Sequence, residues 1–329
     1  TQTYSVFAGQ NDALAESARA TAGKRLHIGE NFPADLVASD LFADRWQENG
    51  TYVFLGAVTS VDALGMRLKL DLSGLNEYDE VYVLDLTLPR AHGPWTREDH
   101  YDGGWWTAAV EGDTAAVMVR SSEPGTPQLR VVKVAHFFLD PVAELKQVSC
   151  NNLIACETNA TIQQISSAVG RYSFTSGFSS YVCSGSLLNN PNTEELEPYF
   201  LTANHCVSTQ AEVNSMEVYW DYRVPSCGGG SAPSLNSLLR SEGAQLLATS
   251  GTYDGTLVRL DSVSPGAYGR AYLGWVNDLP IIGADMLGIH HPSGSHMRIS
   301  YGDVTEVDVD STGYQDQIRV EWFDGVTEG

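Results

Sequence analysis

The chain has 329 residues, 43% of them hydrophobic, which is enough for two packed cores, and it holds no apolar run of membrane-spanning length. With 19 basic and 41 acidic side chains the net charge is −22, which argues against nucleic acid and anionic membrane as partners and predicts a soluble, well-solvated surface. No signal peptide follows Thr1, so one is expected to have been removed or to lie outside these residues.

Residues 1–49 read as a lead-in segment, in which Ala13-Leu-Ala-Glu-Ser-Ala-Arg-Ala20 favours a short helix and polar turns follow. From Gly50 the pattern changes. Residues 51–58, 66–72, 80–86, 115–120 and 129–138 alternate apolar with polar side chains between Gly, Pro and Asp punctuation. That period predicts half-buried antiparallel strands, and so a jelly-roll or CUB-like β-sandwich over residues 50–140. Between these strands, residues 93–106 carry Trp95, Trp105 and Trp106, read as closing one end of the sandwich core in preference to forming a carbohydrate platform. Glu98, Asp99 and Asp102 lack the regular spacing of a calcium loop and are assigned no metal.

Residues 141–149 are a polar, Pro-containing linker, and cysteine usage changes at its end. All five cysteines, Cys150, Cys156, Cys183, Cys206 and Cys227, lie in the second half of the chain, which points to an oxidising compartment. An odd number leaves one thiol without a partner in this chain. No Cys-x-x-Cys or closely spaced Cys/His set is present, so no metal and no cofactor is predicted.

In this half, residues 162–172, 181–188, 199–203, 216–222, 245–248 and 256–260 supply six strand candidates for one barrel. Residues 272–275, 285–290, 297–301, 303–309 and 317–323 begin a second, and the cleft falls between the two. Within the first set, Tyr199-Phe-Leu-Thr-Ala-Asn-His205-Cys206 delivers an imidazole to the end of a strand, beside a cysteine. An imidazole with a pKa near 6.5 can shuttle protons at neutral pH. Cys183 opens an upstream apolar strand and is the natural partner of Cys206; closing that loop stabilises by roughly 3 kcal/mol. Asp254 sits in a turn that leads into an alternating strand, where its carboxylate can hold one imidazole nitrogen. His before Asp is the chain order of chymotrypsin-like triads and differs from the subtilisin and α/β-hydrolase orders. His290 and His291 are adjacent, so strand geometry points them to opposite faces, and His-His-Pro reads as a structural turn.

Five motifs occur in one order: Cys-Ser-Gly-Ser-Leu-Leu-Asn-Asn from Cys183, Tyr-Phe-Leu-Thr-Ala-Asn-His-Cys from Tyr199, Val-Tyr-Trp-Asp-Tyr from Val218, Gly-Ile-His-His-Pro from Gly288 and Gly-Val-Thr-Glu from Gly325. Residues 150–329 thereby resemble the lysyl endopeptidase branch of the bacterial trypsin-like serine proteases. The resemblance implies an all-β chain: an N-terminal sandwich followed by a chymotrypsin-like double β-barrel over 150–329, incomplete at its C-terminal side. It implies His205 as general base and Asp254 as its orienting partner. It pairs Cys183 with Cys206 and Cys156 with Cys227, and it pairs Cys150 with a cysteine beyond Gly329.

In the family, Gly-Val-Thr-Glu leads within a few residues into the segment that carries the nucleophilic serine and the oxyanion-hole amides. No such segment occurs in residues 1–329, and Ser176, Ser184 and Ser186 stand at the wrong places in the pattern. A C-terminal piece is therefore expected to be missing, with a nicked peptide held through Cys150 as one explanation. By analogy, the sandwich is a pro-domain. Cleavage after lysine, inherited from the resemblance, would place maturation at Lys146-Gln147. The implied protein is a secreted serine endopeptidase precursor acting on protein or peptide substrates. The alternative is a catalytically silent homologue acting as a secreted binding module.

Overall fold

The structure is a computed structural model that describes residues 2–4, 10–20, 25–87, 90–99, 101, 103–139, 152–191, 195–231, 233–234, 237–266, 269–311 and 313–327. The chain is all-β in class and divides into two compact units. One comprises residues 1–21, 27–141 and 175–181, the other residues 22–26, 142–174 and 182–329.

The first unit is built from two sheets. In one, Thr51–Ser60 and Glu80–Asp85 flank Thr114–Ser121 antiparallel, Arg90–Trp95 extends the edge, and Phe42–Glu48 and Gln2–Tyr4 also pair with Thr51–Ser60. In the other, Gln128–Phe137 lies between Leu26–Val37 and Gly65–Gly74. Alternation explains the packing: Leu68, Leu70 and Leu72 from one sheet meet Val81, Val83, Val117 and Val119 from the other in a single buried cluster. Trp95 and Trp105 belong to this core, their ring centroids 6.4 Å apart, and Tyr101 stacks on Trp105. The Asp99 carboxylate accepts the N–H and hydroxyl of Thr96, while Asp102 lies outside the described residues.

Residues 26–48 correct the lead-in expectation, because they contribute two strands to this unit. Phe42–Glu48 turns back into Thr51–Ser60 through Asn49-Gly50, whose φ angles of 50° and 85° suit the left-handed conformation that Asn and Gly tolerate in tight hairpins. Leu26–Val37 has a period obscured by Gly29 and Pro33, and Pro33 sits opposite Lys133 where the register shifts at a bulge. The short N-terminal helix spans Asn11–Ala20.

In the second unit a sheet runs in the order Leu239–Glu242, Glu217–Trp220, Val169–Ser176, Ser179–Leu188, Tyr199–Thr202, Gly255–Leu260, Ala244–Ser250. Its first and last strands are consecutive in the chain, joined at Gly243, so the sheet curls back on itself. Phe200 fills the interior, with its ring edge-on to Tyr172 at 5.9 Å and to Trp220 at 6.0 Å. A second sheet follows, in which Arg298–Ser311 pairs with Asn152–Leu153, Asp285–His290 and Tyr314–Asp324. Ile154, Val169, Met297 and Ile299 form its buried cluster.

Three strand expectations change here, and one strand appears where none was expected. Residues 160–166 are helix, because the Asn159 side chain accepts the N–H groups of Thr161 and Ile162 and nucleates a turn. The expected strands 297–301 and 303–309 are one strand, Arg298–Ser311. Residues 272–275 make only a bridge, Leu188 with Leu273. Leu239–Glu242 is a strand without an apolar period, held by its ladder to Glu217–Trp220.

Candidate active site

His205 stands in the turn that ends Tyr199–Thr202, and Asp254 closes the turn between Ala244–Ser250 and Gly255–Leu260. The strands carrying them are direct neighbours, with Thr202 opposite Thr256, so both residues emerge at one end of one ladder. Asp254 has φ 53°, a conformation that aspartate reaches more easily than most residues and that swings its carboxylate across to the histidine.

Both carboxylate oxygens are used on the same residue. Asp254 Oδ1 accepts the backbone N–H of His205 at 2.8 Å, and Oδ2 lies 2.7 Å from His205 Nδ1. An ionised carboxylate only accepts, so the Nδ1 proton belongs to the imidazole and Nε2 keeps its lone pair in the neutral ring. The side chains are only 16% and 15% exposed, which limits competition from water for that bond. This is an imidazole held in one tautomer and one orientation.

The turn is fixed on its other side by a disulfide from Cys183 to Cys206, Cα atoms 6.4 Å apart, which closes a separation of 23 residues. A second disulfide joins Cys156 to Cys227 across 71 residues. Cys150, Lys146 and Gln147 lie outside the described residues. Among the described residues, His205 with Cys183 and Cys206 is the triple whose ligand atoms approach within 4.8 Å. The two sulfurs are bonded to each other, so that group offers no thiolate to a metal.

Beneath the turn runs a set of hydroxyl contacts that sequence reasoning missed. Thr256 Oγ1 donates to the Val207 carbonyl at 2.8 Å, Thr249 and Thr256 hydroxyls lie 2.6 Å apart, and Asn204 Nδ2 donates to Thr249 Oγ1 at 2.7 Å. Single threonines give no sequence signal for this. Glu212 was legible in principle, since Thr209-x-x-Glu212 is a capping box, and the Thr209 and Glu212 side chains do cap each other's backbone N–H.

The adjacent pair His290 and His291 stands at the end of a different ladder, that of Asp285–His290. His291 is buried, its Nδ1 2.9 Å from the Ser295 carbonyl and its ring stacked on Tyr222 at 5.9 Å, while its backbone N–H donates to Ser184 Oγ. Burial lowers its pKa to about 3. Burial, with Arg298 across the ladder, lowers that of His290 to about 4.

A family model described as lysyl endopeptidase, C-terminal domain, matches residues 146–329. The chain belongs to the lysyl endopeptidase family. A curated lysyl endopeptidase of Pseudomonas aeruginosa is 30% identical over 242 residues, covering 68% of this chain and 51% of its own length. The chain thus spans about half the length of that lysyl endopeptidase. Among solved structures, the HtrA-type protease AlgW with tripeptide matches at 18% identity, over 48% of this chain and 43% of its own, with a TM-score of 0.32. The MamO protease domain from Magnetospirillum magneticum matches at 15% identity over 49% and 73%, also with a TM-score of 0.32. Within the lysyl endopeptidase match fall His205, Asp254 and all four cysteines of the two disulfides.

Proposed function

We infer that this chain is the precursor of a secreted serine endopeptidase in which His205 is the general base and Asp254 its orienting acid, the nucleophilic serine coming from outside residues 1–329. The two-oxygen grip of Asp254 on the backbone and ring of His205 carries this reading. His205 Nε2 would take the serine proton as the hydroxyl attacks the scissile carbonyl, then return it to the leaving amine. Asp254 would keep Nδ1 protonated and stabilise the imidazolium in between. The acyl-enzyme would be hydrolysed by the same proton traffic in reverse.

Family membership supports cleavage after lysine, and the two disulfides fit an oxidising, extracellular site of action. In the same reading the N-terminal unit is a pro-domain, processing falls at Lys146-Gln147, and Cys150 pairs outside these residues. Hydrolysis of lysyl and arginyl amides by the complete gene product tests the proposal. The expected result is lysine preference and a loss of about 10⁴-fold in kcat for Asp254→Asn, the size of effect seen when a triad histidine is left in the wrong tautomer. A variant within tenfold of the parent would overturn it. N-terminal sequencing of matured enzyme checks the processing point, and a start far from Gln147 removes it.

A further inference from the structure

Besides the hydroxyl contacts beneath it, the histidine turn is held at three points. Two have been described: the Asp254 carboxylate on the His205 N–H, and the Cys183–Cys206 disulfide. The third comes from Arg25, which belongs by its contacts to the same unit as the turn although it lies more than a hundred residues before the segment matched by the family model. Arg25 Nη1 donates to the Cys206 carbonyl at 3.3 Å and lies 3.9 Å from Glu212 Oε1, with its guanidinium 5.9 Å from the centre of the Phe174 ring.

Glu212 makes this more than a surface ion pair. Its other oxygen, Oε2, accepts the backbone N–H of Ser208 at 2.9 Å and of Thr209 at 3.0 Å, and the Thr209 hydroxyl at 3.0 Å. One carboxylate therefore ties the chain immediately after the turn, and through its second oxygen faces the cation that holds the turn's own carbonyl. The Glu212 side chain is 12% exposed and that of Arg25 31%, so the pair is screened less than two charges at a fully open surface. Residues 206–209 are gripped from both ends by a single Arg25–Glu212 unit.

We propose that Arg25 is a positioning residue for His205: by clamping the Cys206 carbonyl and Glu212, it fixes the backbone that aims the imidazole at its substrate-side partner. This rests on the reading of His205 as the proton-transfer residue. In the precursor the histidine turn is then braced by a residue from the N-terminal region, and any event that withdraws Arg25 loosens the turn without touching the His205 and Asp254 side chains.

The test uses the chain of residues 1–329 with Arg25→Met, which keeps the apolar stem against Phe174 and removes the donors, and with Arg25→Lys, which restores a cation. The readouts are amide hydrogen exchange and the low-field proton resonance of the His205 Nδ1–H bond to Asp254. In Arg25→Met, exchange at His205, Cys206 and Val207 should accelerate about tenfold relative to the strands 199–202 and 255–260, and the resonance should broaden. Arg25→Lys should recover most of both. Unchanged exchange in the turn, or acceleration spread evenly over those strands, would overturn the proposal. If Arg25→Met does not fold, Glu212→Gln removes the charge facing Arg25 while keeping an acceptor for Ser208 and Thr209, and must show the same pattern. Asp254→Asn separates the two claims: it must abolish the resonance, and survival of the signal there would sink the assignment of the His205–Asp254 pair and leave the Arg25 exchange result standing.

Discussion

Asp254 is the residue on which chemistry and backbone geometry meet. Its left-handed φ and its two bonds to His205 occur together, and both of its oxygens reach the turn that follows the neighbouring strand. Replacing it with Ala should cost more than the ring bond alone, since the His205 N–H would lose its acceptor as well; about 1–3 kcal/mol of stability is expected from that loss, measured by denaturant unfolding. His290 and His291 predict the pH response. Both are neutral in the fold, with pKa lowered to about 4 and about 3 by burial. In the unfolded chain each titrates near 6.5, so the unfolded state binds more protons below that value. Their contribution is complete above pH 6.5 and falls as pH drops toward 4 and then 3, by about 1.4 kcal/mol per pH unit for each histidine within its window. His291→Asn should reduce the slope of unfolding free energy between pH 4 and 6 by about one proton's worth, and an unaltered slope would contradict this account.

At the scale of elements, the strongly alternating strands were legible and the irregular ones were not. Residues 66–72 alternate strictly and 115–120 are an apolar run, and they form the centres of Gly65–Gly74 and Thr114–Ser121. Leu26–Val37 was lost because Gly29 and Pro33 break the period, Pro33 at the point where the ladder itself bulges. Leu239–Glu242 carries Arg240 and Glu242, polar side chains that no period marks as strand; Arg240 is nevertheless buried, because Glu217 on the neighbouring strand accepts from it at 2.8 Å. The helix at 160–166 was signalled by Asn159, whose capping role is clear only once its side chain is seen to accept two N–H groups. The histidine turn depends on elements as well. Removing the Cys183–Cys206 bond with a paired alanine substitution should cost roughly 3 kcal/mol in the chain-entropy picture. For a unit of this size that lowers Tm by about 6–12 °C, measurable by calorimetry, and a fall of under about 2 °C would mean the bond does not constrain the turn.

For the whole molecule, order along the chain carried more information than composition. A net charge of −22 argued against nucleic acid and anionic membrane without naming a partner. The sequence order of Cys183, His205, Cys206 and Asp254 pointed to a site whose members do meet, because neighbouring strands of one curled sheet bring distant residues to a common end. Arg25 was not legible at all: nothing local marks an arginine in a polar N-terminal segment as belonging with the histidine turn, and only the fold places it there. The central claim is that His205, steered by Asp254, activates a serine hydroxyl. The most direct measurement is the rate at which a fluorophosphonate labels the complete gene product, because that reagent reacts with an activated serine and not with an ordinary one. The parent protein should label covalently, and His205→Ala should label at least about 10³-fold more slowly. A parent that does not label, or an alanine variant that labels as fast as the parent, would contradict the claim.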